Sequence, residues 1–251
     1  MKKPIFNIYK KPIEKEIEVL SWFVLAKTNF EWLLEYWNIN SREFYSKESV
    51  ERREILKNKV EEIYDRESEN FEIKIKNIKD IVHYNYEYIC KILAKIFNVQ
   101  YCGEQVYNVE VGISPICPRH LDEKSFDLNV ISTIKYNFQI ILHEIIHFYW
   151  FEKFKQVFPS VQRREYERPN VVWVLSEIVV DPIIKNSGLK RFLVNNPAYD
   201  VFYETEINGQ NLIEKFNKIY QNSNNIEGFI KESMEFVMSN KIFFENLANN
   251  C

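Results

Sequence analysis

The chain has 251 residues, of which 46% are hydrophobic and 27% charged, and its formal net charge is -3 at pH 7. These values are ordinary for a globular protein, and the slight acidic excess provides no general electrostatic attraction to nucleic acid or anionic lipid. We therefore expect neither a nucleic-acid partner nor a membrane partner. The low content of glycine, with five residues against 16% aromatic residues, favours a helical and tightly packed fold.

No targeting or membrane segment is predicted. The basic N-terminal start is not followed directly by the apolar stretch of a signal peptide, and the apolar run at 19–26 is too short to span a bilayer. The four cysteines contain no C-x-x-C pair and are too sparse for a disulfide framework, so we expect reduced thiols. These features predict a cytoplasmic protein.

The first hundred residues are predicted to be helical. Apolar and aromatic residues recur at helical spacing over 13–38, and both charge signs recur at three- and four-residue spacing over 47–66. The segment 71–97 predicts a further helix, although its first residues alternate and could begin as a strand. We expect residues 1–100 to form a helical N-terminal region or cap.

Two short strands are predicted before the next helix. Residues 103–114 alternate between apolar and polar side chains, and 125–132 form a second strand candidate after a loop with two prolines. Together they predict a small sheet. The edge of such a sheet can bind an extended peptide by backbone pairing.

The apolar run FQIILHEIIHFYWF at 138–151 contains the pattern H-E-x-x-H. Residues four apart lie on one face of a helix, so His143 and His147 can present two imidazoles to one metal ion, with Glu144 beside them. Because nearly every face of this helix is apolar, we expect it to be buried, and its polar groups then need partners. A bound cation would supply one.

The third metal ligand is predicted to be a carboxylate, because no histidine follows His147 and a catalytic zinc takes three protein ligands. Glu177 is favoured, since it lies in a short apolar helix predicted between Asn170 and Pro182, where an unpaired carboxylate would be costly. Asp181 shares a helix face with Glu177 and could hydrogen-bond a ligating imidazole. The weaker alternatives for the third ligand are Glu152, Glu165 and Glu167.

The motifs HEIIH at 143–147 and EIVVD at 177–181 together resemble the signature of the gluzincins, the thermolysin-like zinc metallopeptidases. That family carries H-E-x-x-H on one helix and E-x-x-x-D on the next. The resemblance covers residues 126–181 and is specific in the metal core only. It implies a zincin-like catalytic core.

The resemblance also implies the role of each motif residue. Zinc would be the cofactor, with His143, His147 and Glu177 as its ligands. Glu144 would be the general base that takes a proton from zinc-activated water. Asp181 would orient the imidazole of His143. The implied reaction is hydrolysis of a peptide bond in a peptide or protein substrate.

Sites of this type usually also bind the oxyanion through a tyrosine, histidine or arginine. Tyr166, which lies between the two motifs, is the first candidate for this catalytic role. Tyr199 and Tyr203 are the next candidates, and His120 is a distant one.

Three other functions remain open on the sequence. A catalytically silent zinc-binding module that recognises a partner is one, although such a module has no need of Glu144. A zinc hydrolase of a small non-peptide amide is the second, and a closed pocket would favour it. The third is a helical interaction protein with a fortuitous motif, which would bind no metal.

The predicted fold class is α+β and mainly helical. A zincin-like catalytic region is expected over 101–251, with the small sheet before the H-E-x-x-H helix and a helical C-terminal subdomain that includes 211–220 and 226–239. The two regions could form one compact unit. We expect the tail from residue 245 to fray.

Overall fold

The structure, a computed structural model, describes residues 5–25, 30–99 and 105–250. These residues are mainly helical and include a small mixed sheet, as expected for an α+β protein. None of the helices in this described part of the chain combines the length and the apolarity that crossing a membrane requires.

By their internal contacts, the described residues form two compact units. The first contains the described residues between 5 and 83 together with 106–137, and the second contains 84–99, 105 and 138–250. Each unit is built from segments that are distant in sequence. The predicted regions 1–100 and 101–251 are each continuous in sequence, and this division stays a prediction.

The first unit contains the sheet and the N-terminal helices. Its elements in chain order are β1 (Ile5–Lys10), α1 (Ile13–Leu25), α2 (Glu31–Tyr36), α3 (Ser41–Ser46), α4 (Ser49–Arg66), the first part of α5 (Ser68–Phe97), β2 (Val106–Gly112), β3 (Arg119–His120) and β4 (Ser125–Asn129). The helix predicted at 47–66 is confirmed as α4. The helix predicted at 13–38 is described as α1 and α2, and residues 26–29 between them lie outside the described part of the chain.

The segment that begins at Phe71 is helical throughout and contains no strand. Its buried residues Phe71, Ile78 and Val82 follow one another at steps of seven and four, which places them on one helix face. The local alternation in FEIKIKNI is therefore secondary to the helical period of the whole segment.

The sheet has the order β1-β2-β4-β3, in which β1, β2 and β4 are parallel and β3 is antiparallel to β4. The predicted strands are confirmed as β2 and β4. β1 was not predicted, because the apolar residues of its sequence IFNIYK do not alternate with polar ones. Its conformation is stabilised by pairing with β2, far along the chain.

A buried cluster of charged side chains links the sheet to α1. The Lys11 ammonium group donates to Asp127 Oδ2 and lies 3.4 Å from Glu16 Oε2. Glu16 Oε1 in turn accepts from the backbone N–H of Ser114 at 2.8 Å. Gly112 permits this arrangement, because a Cβ atom at that position would lie 2.3 Å from Glu16 Oε2.

The second unit contains the second part of α5 and the C-terminal half of the chain. Its further elements are α6 (Ile134–Val157, which belongs to this unit from Phe138), a 3-10 helix (Arg163–Tyr166), α7 (Val171–Lys185), a second 3-10 helix (Gly188–Phe192), α8 (Asp200–Glu204), β5 (Glu206–Ile207), β6 (Gln210–Asn211), α9 (Leu212–Asn222), α10 (Ile226–Ser239) and α11 (Lys241–Asn250). α7 packs against α9, α10 and α11, and all its residues from Val172 to Ile184 are buried. Such a helix, apolar on every face, forms the interior of the unit.

Two expectations about helix ends in this unit are wrong. α7 continues through Pro182 to Lys185. Because this proline lies in the last turn, it costs only one intrahelical hydrogen bond, and the Pro182 carbonyl accepts from both the backbone and the side-chain amide of Asn186. As far as residue 250, the tail is not frayed, because it belongs to α11 and the side chains of Leu247 and Ala248 are buried.

We predict that Asp127 makes the protein less stable as the pH rises from about 4 to about 7. Burial raises the pKa of its carboxyl from 3.8 to about 7, although Lys11 opposes the shift. The folded state therefore binds a proton more tightly than the unfolded state, and the free energy of unfolding falls as this proton is lost. Urea unfolding at several pH values in this range should give a smaller decrease for Asp127→Asn than for the parent.

The matched control is Asp122→Asn, because Asp122 is exposed and close in sequence. This variant should keep the pH dependence of the parent. Equal pH dependence in the parent and in Asp127→Asn would contradict a raised pKa at Asp127.

Candidate metal centre

Two neighbouring helices of the second unit, α6 and α7, carry the predicted ligands. The prediction that the H-E-x-x-H helix is buried is confirmed, since the residues around the motif have little or no exposed surface. The side chain of His143 keeps 17% exposure, whereas those of His147 and Glu177 keep 0% and 4%. Among these three side chains, that of His143 is therefore the most accessible to solvent.

The three predicted ligands converge on one point. His147 Nε2 lies 2.8 Å from His143 Nε2, and Glu177 Oε2 lies 3.1 Å from His143 Nε2 and 3.3 Å from His147 Nε2. Within the described part of the chain, no other group of three His, Cys, Asp or Glu side chains comes close enough to hold one metal ion. The two motifs therefore place two imidazole nitrogens and one carboxylate oxygen in a compact group.

The backbone fixes the tautomer of His143. Its Nδ1 lies 2.8 Å from the carbonyl oxygen of Pro197. A carbonyl can only accept, so Nδ1 carries the hydrogen and donates it, and in a neutral imidazole Nε2 then carries the lone pair. This is the form in which a histidine binds a metal ion through Nε2.

The geometry of the group fits a small cation. In its neutral form with the hydrogen on Nδ1, His143 directs the lone pair of Nε2 toward Glu177 Oε2, and a cation between these two acceptors would be attracted to both. The edges of 2.8 and 3.1 Å are shorter than the edge of about 3.3 Å in a tetrahedral zinc site, and the third edge, 3.3 Å, equals it. Two imidazoles and one carboxylate also form a typical catalytic zinc donor set.

Glu144 is buried beside the first ligand. It retains 6% exposure and follows His143 directly in α6, so it leaves the helix about 100° away from that residue. It is not a member of the converging group. Glu144 is therefore a carboxylate next to the candidate metal centre that is not one of the three candidate ligands.

Asp181 has different contacts from those that the gluzincin resemblance implies. Its carboxylate accepts from the hydroxyl of Tyr203 and from the amide of Asn217 at 2.9 Å, and it lies 2.7 Å from the Lys185 ammonium group. The hydrogen on Nδ1 of His143 is already donated to Pro197. Asp181 is thus hydrogen-bonded to residues of α8 and α9. The imidazole of His143 is oriented by a backbone carbonyl instead.

The structure also locates the candidates for the oxyanion-binding role. Tyr166 is buried, with its ring stacked on Phe151 at 4.6 Å, and burial raises its pKa. Burial and the Asp181 carboxylate raise the pKa of Tyr203, so its hydroxyl keeps its proton. Tyr199 is 52% exposed. The role of Tyr166 stays a prediction.

His120, the most distant of these candidates, lies in β3 of the first unit.

Two contributors to this site were missed in the sequence. Gln139 lies one turn before His143 on the same face of α6, and its amide binds a loop that ends at Pro197. Gln139 is a polar residue in an otherwise apolar run, and this could have identified it. Pro197 gave no signal, because it contributes a backbone carbonyl from a loop more than fifty residues away.

Comparison with protein-family models, with curated proteins and with solved structures finds no match to this chain. The resemblance to the gluzincins therefore rests on the two motifs alone. The geometry of those motifs shows that their three side chains could hold one metal ion.

We predict that Asp181→Asn reduces stability much more than metal affinity. The substitution removes a buried negative charge that accepts two hydrogen bonds and faces Lys185, so the free energy of unfolding of the metal-free protein should fall by about 2 kcal/mol. Zinc affinity, measured by competition with a chelator, should change less than the roughly tenfold expected for a group that holds a ligating imidazole. A large loss of affinity with unchanged stability would instead indicate that Asp181 acts on a ligand.

Proposed function

We propose that this chain is a zinc-dependent metallopeptidase of the gluzincin type, with a zincin-like catalytic core, which hydrolyses peptide bonds in a peptide or protein substrate. The observation that carries the proposal is the convergence of His143 Nε2, His147 Nε2 and Glu177 Oε2 within hydrogen-bond distance of one another. Three donors of this kind are the usual protein contribution to a catalytic zinc site, which keeps a further position open.

The three ligands are suited to hold zinc. Two neutral imidazoles and one carboxylate bring a single negative charge to a divalent ion, and the hydrogen bond from His143 to Pro197 keeps one nitrogen lone pair directed inward. When bound, zinc supplies a Lewis acid that lowers the pKa of water and polarises a carbonyl group. The partial exposure of His143 gives this side of the group access to solvent.

Glu144 is the proposed general base. It is adjacent to a candidate ligand in sequence and is not a member of the ligand group. It takes a proton from the attacking water and delivers it to the leaving amine, which is the role expected for the glutamate of H-E-x-x-H. A site that only binds zinc has no need of a second buried carboxylate at this position, and Glu144 therefore favours an enzyme over a silent module.

We predict that zinc binding depends on Glu177. Protein purified without added metal should carry close to stoichiometric zinc by elemental mass spectrometry, and Glu177→Gln should carry much less, because the amide oxygen is a weaker ligand than a carboxylate. Glu152→Gln is the matched control, since Glu152 is an exposed carboxylate on α6. It should bind zinc as the parent does.

A parent protein that binds no zinc even when zinc is supplied would contradict the proposed function. It would favour the helical interaction protein. Equal loss of zinc in the Glu177 and Glu152 variants would contradict the assignment of Glu177 as a ligand.

We predict that Glu144→Gln keeps zinc and loses catalysis. Zinc content should equal that of the parent, because Glu144 is not a ligand, and turnover should fall by roughly 10²–10⁴-fold with the loss of the general base. Cleavage of a mixed peptide library, followed by mass spectrometry, measures this. A zinc-loaded parent that leaves every peptide intact would contradict the peptidase, and turnover of small amides in the same assay would favour the alternative hydrolase.

A further inference from the structure

Gln139 lies on the ligand face of α6 but has no part in the chemistry described above. It precedes His143 by four residues and His147 by eight, so the three side chains leave the helix on the same side. Gln139 retains only 4% exposure. A buried primary amide has two donors and an acceptor to satisfy, and its partners therefore indicate what it holds in place.

The partners of Gln139 are three consecutive backbone groups. Its Oε1 accepts from the N–H of Val194 at 2.7 Å and from the N–H of Asn195 at 3.0 Å, and its Nε2 donates to the carbonyl of Asn196 at 3.2 Å. The next residue is Pro197, whose carbonyl accepts from His143. Each residue of the 194–197 segment is thus hydrogen-bonded through its backbone to either Gln139 or His143.

The 194–197 segment lies between the 3-10 helix that ends at Phe192 and α8, and it belongs to no helix or strand. Its first three residues are exposed. An exposed loop of this kind has few buried contacts and little regular hydrogen bonding to keep it in one conformation. The amide of Gln139 supplies three hydrogen bonds from a rigid helix, and this fixes the backbone immediately before Pro197.

We propose that Gln139 is a positioning residue of the metal centre, which acts through the 194–197 segment to hold the Pro197 carbonyl against Nδ1 of His143. This inference rests on the proposed zinc function. With the carbonyl in place, His143 keeps its hydrogen on Nδ1 and directs Nε2 toward His147 and Glu177. Without it, the imidazole can rotate and change tautomer, so the ligand group is no longer preorganised.

The test compares Co²⁺ binding by the full-length parent and by two variants of Gln139. Gln139→Met has a similar shape but makes none of the three hydrogen bonds, and Gln139→Glu keeps the acceptor for Val194 and Asn195 but cannot donate to Asn196. Competition with a chelator gives the affinity for Co²⁺. The visible absorption of bound Co²⁺ reports the ligand geometry directly, and thermal unfolding of the metal-free proteins reports stability separately.

Gln139→Met should bind Co²⁺ about tenfold more weakly than the parent, the lower limit expected for loss of an outer support of a ligand. Its Co²⁺ spectrum should also differ from that of the parent. Gln139→Glu should lie between the two. Because this second variant retains two of the three hydrogen bonds, it allows the test even where the methionine variant does not fold.

The matched control is Asn170→Ala. The Asn170 amide also fastens a loop to a helix of the same unit, but its hydrogen bonds go to the carbonyls of Arg164 and Glu167 and not to the 194–197 segment. It should bind Co²⁺ with the affinity and spectrum of the parent. An equal loss of affinity in this control would overturn the inference, because loosening of any loop would then be sufficient.

The outcomes also separate this inference from the function on which it rests. A parent that binds no Co²⁺ and no Zn²⁺ contradicts the metal centre itself. A parent that binds Co²⁺ normally, together with Gln139 variants of unchanged affinity and spectrum, leaves the metal centre in place and overturns only the role of Gln139.

Discussion

Burial of polar side chains in an apolar interior is the constraint on which the candidate site of the second unit depends. α6 and α7 are apolar on nearly every face, and burying any polar group in such helices carries a cost unless that group is bonded. Each polar side chain of these helices is therefore informative. Ser176, for example, donates to the carbonyl of Trp173 within its own helix and needs nothing further. The ligand group differs, because it gathers donors from two helices.

Hydrogen bonds from other segments reach both helices that carry the candidate ligands. On α6, the 194–197 segment supports His143 through the Pro197 carbonyl. On α7, Asp181 lies one turn beyond Glu177 and is bonded to Tyr203 and Asn217. These bonds join α7 to α8 and α9 inside the unit. Asp181 thus supports the packing of α7, whereas the Nδ1 hydrogen of His143 is donated to a backbone carbonyl.

The parts that the sequence could predict are those encoded in local periodicity. The long helices, β2 and β4 follow from the spacing of apolar residues, and His143, His147 and Glu177 follow from motif spacing on two helices. The parts that it could not predict depend on contacts between distant segments. β1 needs β2 to pair with, and the continuation of α7 past Pro182 depends on the side chain of Asn186. The Pro197 carbonyl is beyond any side-chain pattern, because every residue has a carbonyl and only the fold selects this one.

The buried charges of the two units also distinguish a structural cluster from a ligand site. In the first unit, the carboxylates of Glu16 and Asp127 face the ammonium group of Lys11, which donates to one and is paired with the other. The positive charge is part of the chain, and the cluster needs no ion. In the second unit, the group formed by His143, His147 and Glu177 brings together atoms that act as acceptors in their metal-binding forms. With the Nδ1 hydrogen of His143 donated to Pro197, the group could hold a divalent cation.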